Sequence, residues 1–176
     1  IYTLPVAHKT LQQVQPKQNN KPYFFAFGSS DPRKNTSCVI DAIKEVRTDH
    51  DIELIVTGEN NWNEDFIKSI GRPNDEELAS YIKGAKALLY PSWYEGYGLP
   101  VHEAASLGTP VLSSIAGALP ETAPKNIKLI QPEKPHLWIT AMKSALHSAT
   151  NSTNLSQQEQ WTSAAERILR CLATPH

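Results

Sequence analysis

Short apolar runs alternate with longer amphipathic stretches along most of this 176-residue chain. Tyr23 to Phe27 is the first run; Gly28 closes it, and it reads as a buried strand. A polar turn, Ser29 to Lys34, leads into a helix capped by Asn35 or Thr36. That helix runs to about Arg47 with Val39, Ile43 and Val46 on one face. Ile52 to Thr57 is a second strand, ended by Gly58, and residues 59 to 65 form a polar loop. Phe66 to Ile70 reads as a short strand, with a helix through Trp62 to Ile70 as the alternative. Asn74 opens a helix through Gly84, and Glu77 completes a capping-box pattern. A strand, Ala85 to Tyr90, precedes a helix from Pro100 to Leu107, with proline in the first turn and Gly108 just past the end. Strands at Pro110 to Ser114 and Ile127 to Ile130 follow, then amphipathic helices at Lys134 to Ser148 and Gln157 to Leu172. Ser156 and Glu159 would cap the last of these.

Strands that are apolar on nearly every position are buried on both faces. Alternating with helices, they predict an α/β, Rossmann-like parallel sheet with helices on both faces. Residues 1 to 22, polar and carrying Pro5, Pro16 and Pro22, read as a linker; residues 23 to 176 read as one domain. With 17 basic and 18 acidic residues the net charge is -1, so general attraction to nucleic acid or anionic lipid is not expected. No apolar run approaches the roughly 20 residues that span a bilayer. Cys38 and Cys171 lie in no metal-binding spacing and fit a reducing, cytoplasmic setting.

Ligands of open parallel sheets sit beyond the C-terminal strand ends, which directs attention to the segments just after strands. Gly28 to Asn35 is one such segment: a glycine for a tight turn, then Arg33 and Lys34 before a helix start. It reads as a phosphate-binding turn or, taken alone, as a solvated basic turn. The second segment runs from Ser92 through Glu95-Gly96-Tyr97-Gly98-Leu99-Pro100 to Glu103-Ala104. Pro100 has no N–H, so the amides of Tyr97, Gly98, Leu99 and Val101 are the expected donors at this positive helix end. Glu103, one turn into the helix, could accept from both hydroxyls of a ribose, and Glu95 could face sugar hydroxyls. Either glutamate by itself also reads as an ordinary surface carboxylate.

The combination resembles a known family. Glu95-Gly96-Tyr97-Gly98-Leu99-Pro100 with Glu103-Ala104 is similar to the signature of the retaining GT-B glycosyltransferases of group 1 (family 4-like). Pro32-Arg33-Lys34-Asn35, Asn74-Asp75-Glu76-Glu77-Leu78, Gly108-Thr109-Pro110-Val111 and Gly117-Ala118-Leu119-Pro120-Glu121 resemble further family segments, in the family's order. The resemblance implies the C-terminal, donor-binding half of a GT-B fold. It implies a hexosyl transfer, with a mannose donor favoured, from a UDP- or GDP-sugar to a glycan or lipid-linked acceptor. Lys34 would bind the donor diphosphate, with Arg33 beside it, and Glu95 would contact the donor sugar. Gly28, Ser29, Tyr97, Gly98 and Leu99 would line the phosphates and sugar, Glu103 would hold the ribose, and the base would lie near Gly71-Arg72-Pro73. Ser29 stands where many members carry arginine. No metal or other cofactor is expected. The acceptor domain that precedes this half in the family has no counterpart in this sequence. The chain alone is therefore expected not to transfer sugar, and any membrane association would be peripheral, through that domain.

Three features are set aside. Asp49-His50-Asp51 resembles a metal-diphosphate motif but precedes a strand, at the wrong sheet edge for ligands. His102 has no evident nucleophile beside it and reads as packing on the helix. Trp93 and Tyr94 read as core or edge packing, while Tyr97 lies in the turn itself. Two rivals share the fold: a sugar-nucleotide epimerase or phosphorylase-like enzyme, and a binding module without catalysis.

Overall fold

The sheet has six strands in the order β3-β2-β1-β4-β5-β6, every neighbouring pair parallel. The strands are β1 Tyr23–Ala26, β2 Glu53–Val56, β3 Ile67–Ser69, β4 Leu88–Tyr90, β5 Val111–Ser114 and β6 Lys128–Ile130. The helices are α1 Lys9–Gln12, α2 Thr36–Val46, α3 Asp75–Gly84, α4 Leu99–Ser106, α5 Leu119–Thr122 and α6 Pro135–His147. This computed structural model describes residues 9–28, 31–58, 62–124 and 127–148. The helix expected from Gln157 to Leu172, with Cys171 and its cap at Ser156 and Glu159, lies outside them, as does Ser29.

Alternation along each strand sends side chains to two separate cores. Phe24, Ala26, Leu54, Val56, Leu89 and Leu112 meet α2 and α6 through Val39, Ile43, Trp138 and Met142. Tyr23, Phe25, Ile55, Leu88, Tyr90 and Val111 meet α3 and α4 through Ile82, Val101 and Ala104. The central strands β1 and β4 are apolar and buried throughout because both their faces are covered, as expected of a parallel sheet between helical layers, while the edge strands β3 and β6 carry the exposed Lys68, Ser69 and Lys128. The chain builds outward from β1 to β2 and β3, then crosses back to place β4 on the other side of β1. That reversal opens a crevice between the C-terminal ends of β1 and β4, the usual ligand position in such sheets.

The strand reading of Phe66 to Ile70 holds, shortened to Ile67–Ser69, and the helical alternative does not. Asn74 caps α3 through a complete capping box: its side chain accepts from Glu77 N at 2.9 Å and Glu77 Oε2 accepts from Asn74 N at 3.3 Å. Within the segment read as a linker, residues 9 to 12 form one helical turn and the following residues lie along α3. Lys17 N donates to Ser80 O at 2.9 Å, Ser80 Oγ to Gln15 O at 2.9 Å, and Lys83 Nζ to the carbonyls of Gln12 and Val14, each at 2.7 Å. Among the described residues, no helix is long and apolar enough to cross a membrane.

Candidate active site

The loop after β1 places its lysine by local geometry. Asp31 caps a short 3-10 turn, Pro32–Lys34, by accepting from Arg33 N at 2.9 Å. Asn35 ends that turn with φ of 51°, in the left-handed region that asparagine tolerates. Its side chain was expected to cap α2, but it makes no cap there. It is buried and donates instead to Pro91 O at 3.1 Å, with Pro132 O at 3.5 Å. The loops after β1, β4 and β6 are thereby tied together. Trp93 N adds a bond to Arg33 O at 2.7 Å.

Held this way, Lys34 points across the crevice. Its Nζ lies 2.7 Å from Glu95 Oε1 and 3.4 Å from the Tyr90 hydroxyl, and 5.4 Å above the Tyr90 ring. The Glu95 side chain is 12 % exposed and that of Lys34 33 %. Burial alone would raise the Glu95 pKa, but bonding to Lys34, helped by the Ser92 and Tyr90 hydroxyls, outweighs it and holds the carboxyl below its usual range. Ser92 Oγ is buried beside this carboxylate. Burial, then the nearby Glu95 charge, pushes the Tyr90 phenol well above its usual pKa.

The glycine turn after Glu95 is braced from behind. Ala118 N donates to Glu95 O at 3.0 Å, and Thr122 Oγ1 donates to Tyr97 O at 2.9 Å. Gly117 packs so closely that a Cβ there would lie 2.1 Å from Glu95 O. Gly98, with φ of 79°, takes the N-cap position of α4, where left-handed backbone favours glycine. The N–H groups of Gly98 and Leu99 donate to nothing among the described residues. Val101 N, expected to be free, donates to Gly98 O at 2.9 Å and is already used. His102 is buried, stacks on Tyr97 with centroids 4.6 Å apart, and has its pKa lowered by burial.

Glu103 has no ion pair or hydrogen bond on its carboxylate among the described residues. Burial, then the charge of Asp75, raises its pKa. Arg72 is exposed just beyond β3, where Gly71 bridges to Gly58 with Gly58 N bonded to Gly71 O at 2.6 Å.

Several expected residues sit elsewhere than the sequence suggests. Arg33 does not join Lys34: its guanidinium, 73 % exposed, grips Asp31 with Nη2 2.6 Å from Oδ2. The close approach at Gly28 is to the fold itself, since a Cβ there would lie 2.0 Å from Thr57 O. Trp93 and Tyr94, read as packing residues, are exposed at 49 % and 66 %. Asp49 and Asp51, by contrast, lie where their place before β2 put them, at the opposite sheet edge, paired with Lys143 and Lys21. Tyr90 and Thr122 were not singled out for the site, whereas Asn35 and Gly117 carried a signal only through the family-like segments that contain them.

A family model described as glycosyl transferases group 1 matches residues 8–167. The chain belongs to that family. This group 1 chain is 34% identical over 134 residues to an MMP alpha-(1->4)-mannosyltransferase of Mycolicibacterium hassiacum, covering 69% of the chain and 32% of that protein. It is 33% identical over 114 residues to O-antigen chain mannosyltransferase B of Escherichia coli, covering 56% of the chain and 30% of the relative. It thus spans about a third of these relatives' length. The C-terminal domain of a group 1 glycosyltransferase from Francisella tularensis superposes with TM-score 0.65 at 20% identity, over 87% of this chain and 96% of that one. Sucrose-phosphate synthase from Thermosynechococcus elongatus gives TM-score 0.68 at 20% identity, over 92% and 49%. The group 1 chain therefore has the Rossmann-like architecture of one half of a GT-B glycosyltransferase.

Proposed function

We propose that this chain is the donor-binding domain of a retaining hexosyltransferase that uses a nucleotide sugar, with GDP-mannose the favoured donor. The observation that carries the reading is the Lys34–Glu95 contact of 2.7 Å, which brings a cation and a sugar-facing carboxylate together at the β1/β4 crevice. The names of the relatives, mannosyltransferases among them, favour mannose. Lys34 and the amides of Gly98 and Leu99, which donate to nothing among the described residues, would take the diphosphate. Glu95 would accept from hexose hydroxyls, Glu103 from the ribose, and the base would lie near Arg72. Arg33 would join the phosphates only by leaving Asp31. As the bond from sugar to phosphate breaks, its electron pair stays on the diphosphate. Fixed donors aimed at that growing charge lower the barrier without reorganising. A preceding acceptor domain would complete the enzyme, and no metal takes part.

Titration calorimetry with GDP, UDP, GDP-mannose and UDP-glucose tests the assignment. Saturable binding of one nucleotide pair is expected. Lys34→Ala should weaken it at least tenfold, the loss of a charge-assisted bond of about 1.5–3 kcal/mol. Absence of binding by all four ligands would defeat the reading.

A further inference from the structure

We infer that the Glu95–Lys34 pair is a product-release device, which makes the crevice discriminate against a bare nucleoside diphosphate. This rests on the donor-binding reading above and extends it to the step after transfer. The two partners differ in freedom. Glu95 is fixed: its side chain is almost covered, its carbonyl is bonded to Ala118 N at 3.0 Å, and Gly117 lies against its backbone. Lys34 is the longer and more exposed partner, and its ammonium can turn from the carboxylate to a phosphate. Diphosphate binding therefore takes Lys34 away from a carboxylate that cannot follow.

With the sugar attached, that loss is made good, because hexose hydroxyls donate to the carboxylate in place of the ammonium. In the transfer step the bond between sugar carbon and phosphate oxygen breaks with its electron pair on the phosphate. The sugar carbon bonds to the acceptor oxygen, and the acceptor proton passes by way of the phosphate oxygen to solvent. The diphosphate then carries one more negative charge and the hydroxyls are gone. Glu95 faces that charge without a donor, and Lys34 is drawn back to it. The released nucleotide is opposed by the same carboxylate that welcomed the sugar nucleotide.

The test is calorimetry on the 176-residue chain and its Glu95→Gln variant, with GDP and GDP-mannose, or UDP and UDP-glucose if the wild type selects that pair. Glu95→Gln should bind the bare diphosphate about tenfold more tightly than wild type and the sugar nucleotide more weakly. Glu95→Asp, which keeps the charge but retracts it, should tighten bare-diphosphate binding about threefold and stands in if the glutamine variant does not fold. Equal or weaker binding of the bare diphosphate by the folded variants would overturn the inference and leave the donor reading in place. Wild-type chain that binds neither ligand class would overturn both.

Discussion

Gly117→Ala is expected to damage a site it does not enter. The new methyl would lie 2.1 Å from Glu95 O, 2.8 Å from Glu95 N and 3.0 Å from Glu95 C. All three atoms are backbone and cannot rotate away, so one of the two chain segments must shift. The residue also has φ of 57°, a conformation that costs an L side chain about 1–2 kcal/mol. Forcing extra volume into a packed position adds about 1–3 kcal/mol. The two effects together come to about 2–5 kcal/mol, which is a fall of roughly 5–20 °C in Tm for a chain of this size. Gly98→Ala shares the left-handed strain, with φ of 79°, but its methyl would meet Leu119 Cδ2 at 2.4 Å, the tip of a side chain that can turn. It should fall between Gly117→Ala and Gly96→Ala. At Gly96 nothing lies within 4 Å of an added Cβ, and its φ is not in the left-handed region.

Gly96→Ala should therefore leave Tm within about 2 °C of wild type, as a substitution without contacts does. Thermal unfolding followed by circular dichroism ranks the three variants, and calorimetry with the selected nucleotide sugar follows binding. A Gly117→Ala protein that melts with wild type would refute the brace described here. If Gly96→Ala melts normally yet binds the nucleotide sugar poorly, the glycine is there for the ligand's approach.

The two glutamates should bend the pH–stability curve in opposite directions. Glu95 has its folded pKa lowered, so its stabilisation is full above the unfolded value near 4.5 and is lost as pH falls through the folded one. Glu95→Gln should flatten the acid limb of a urea-unfolding series below about pH 4.5. Glu103 has its folded pKa raised by burial and by Asp75, so its penalty is absent in acid and grows as pH rises through its titration range. Glu103→Gln should therefore raise Tm at neutral pH, by about 1–2 °C for a gain on the order of 0.5 kcal/mol, while weakening the nucleotide. A lower Tm for Glu103→Gln would show that the carboxylate is satisfied in the unliganded protein.

The layered architecture was legible because doubly covered strands leave little choice of residue: Tyr23 to Ala26 are all buried. Strand ends were less so. Ala85 to Ala87 read as strand, yet β4 begins at Leu88. The preceding residues still bond to β1, through Lys86 N to Tyr23 O and Phe25 N to Ala87 O. The four-residue helices α1 and α5 are too short to show a period. At the site, the rule that ligands gather beyond strand ends brought the loops of Lys34 and Glu95 to one edge of the sheet, but it did not give the ion pair between them. Nor did it give the turning of Arg33 to Asp31, since a guanidinium two residues from a carboxylate can equally face outward. Asn35 holds the N-cap position of α2, one of the two expected, but its side chain turns away for a related reason. Its partners, Pro91 and Pro132, are 56 and 97 residues away, and a cap is the local use of an asparagine before a helix.

Under the proposed donor reading, those distant bonds explain how four loops would present a binding site before any ligand arrives. Asn35 joins the loops after β1, β4 and β6, Trp93 N holds the first two, and Ala118 N with Thr122 Oγ1 fastens the segment after β5 to the glycine turn. Every one of these bonds uses a backbone group as donor or acceptor, and none of them has to break for a diphosphate to reach Gly98 and Leu99. The anchored parts of these loops would thus be ordered by folding rather than by binding, which removes one of the main costs of association. What remains adjustable is the Lys34 ammonium. In the proposed donor reading, the crevice sets where a diphosphate sits through its main chain, and one ion pair decides which diphosphate stays.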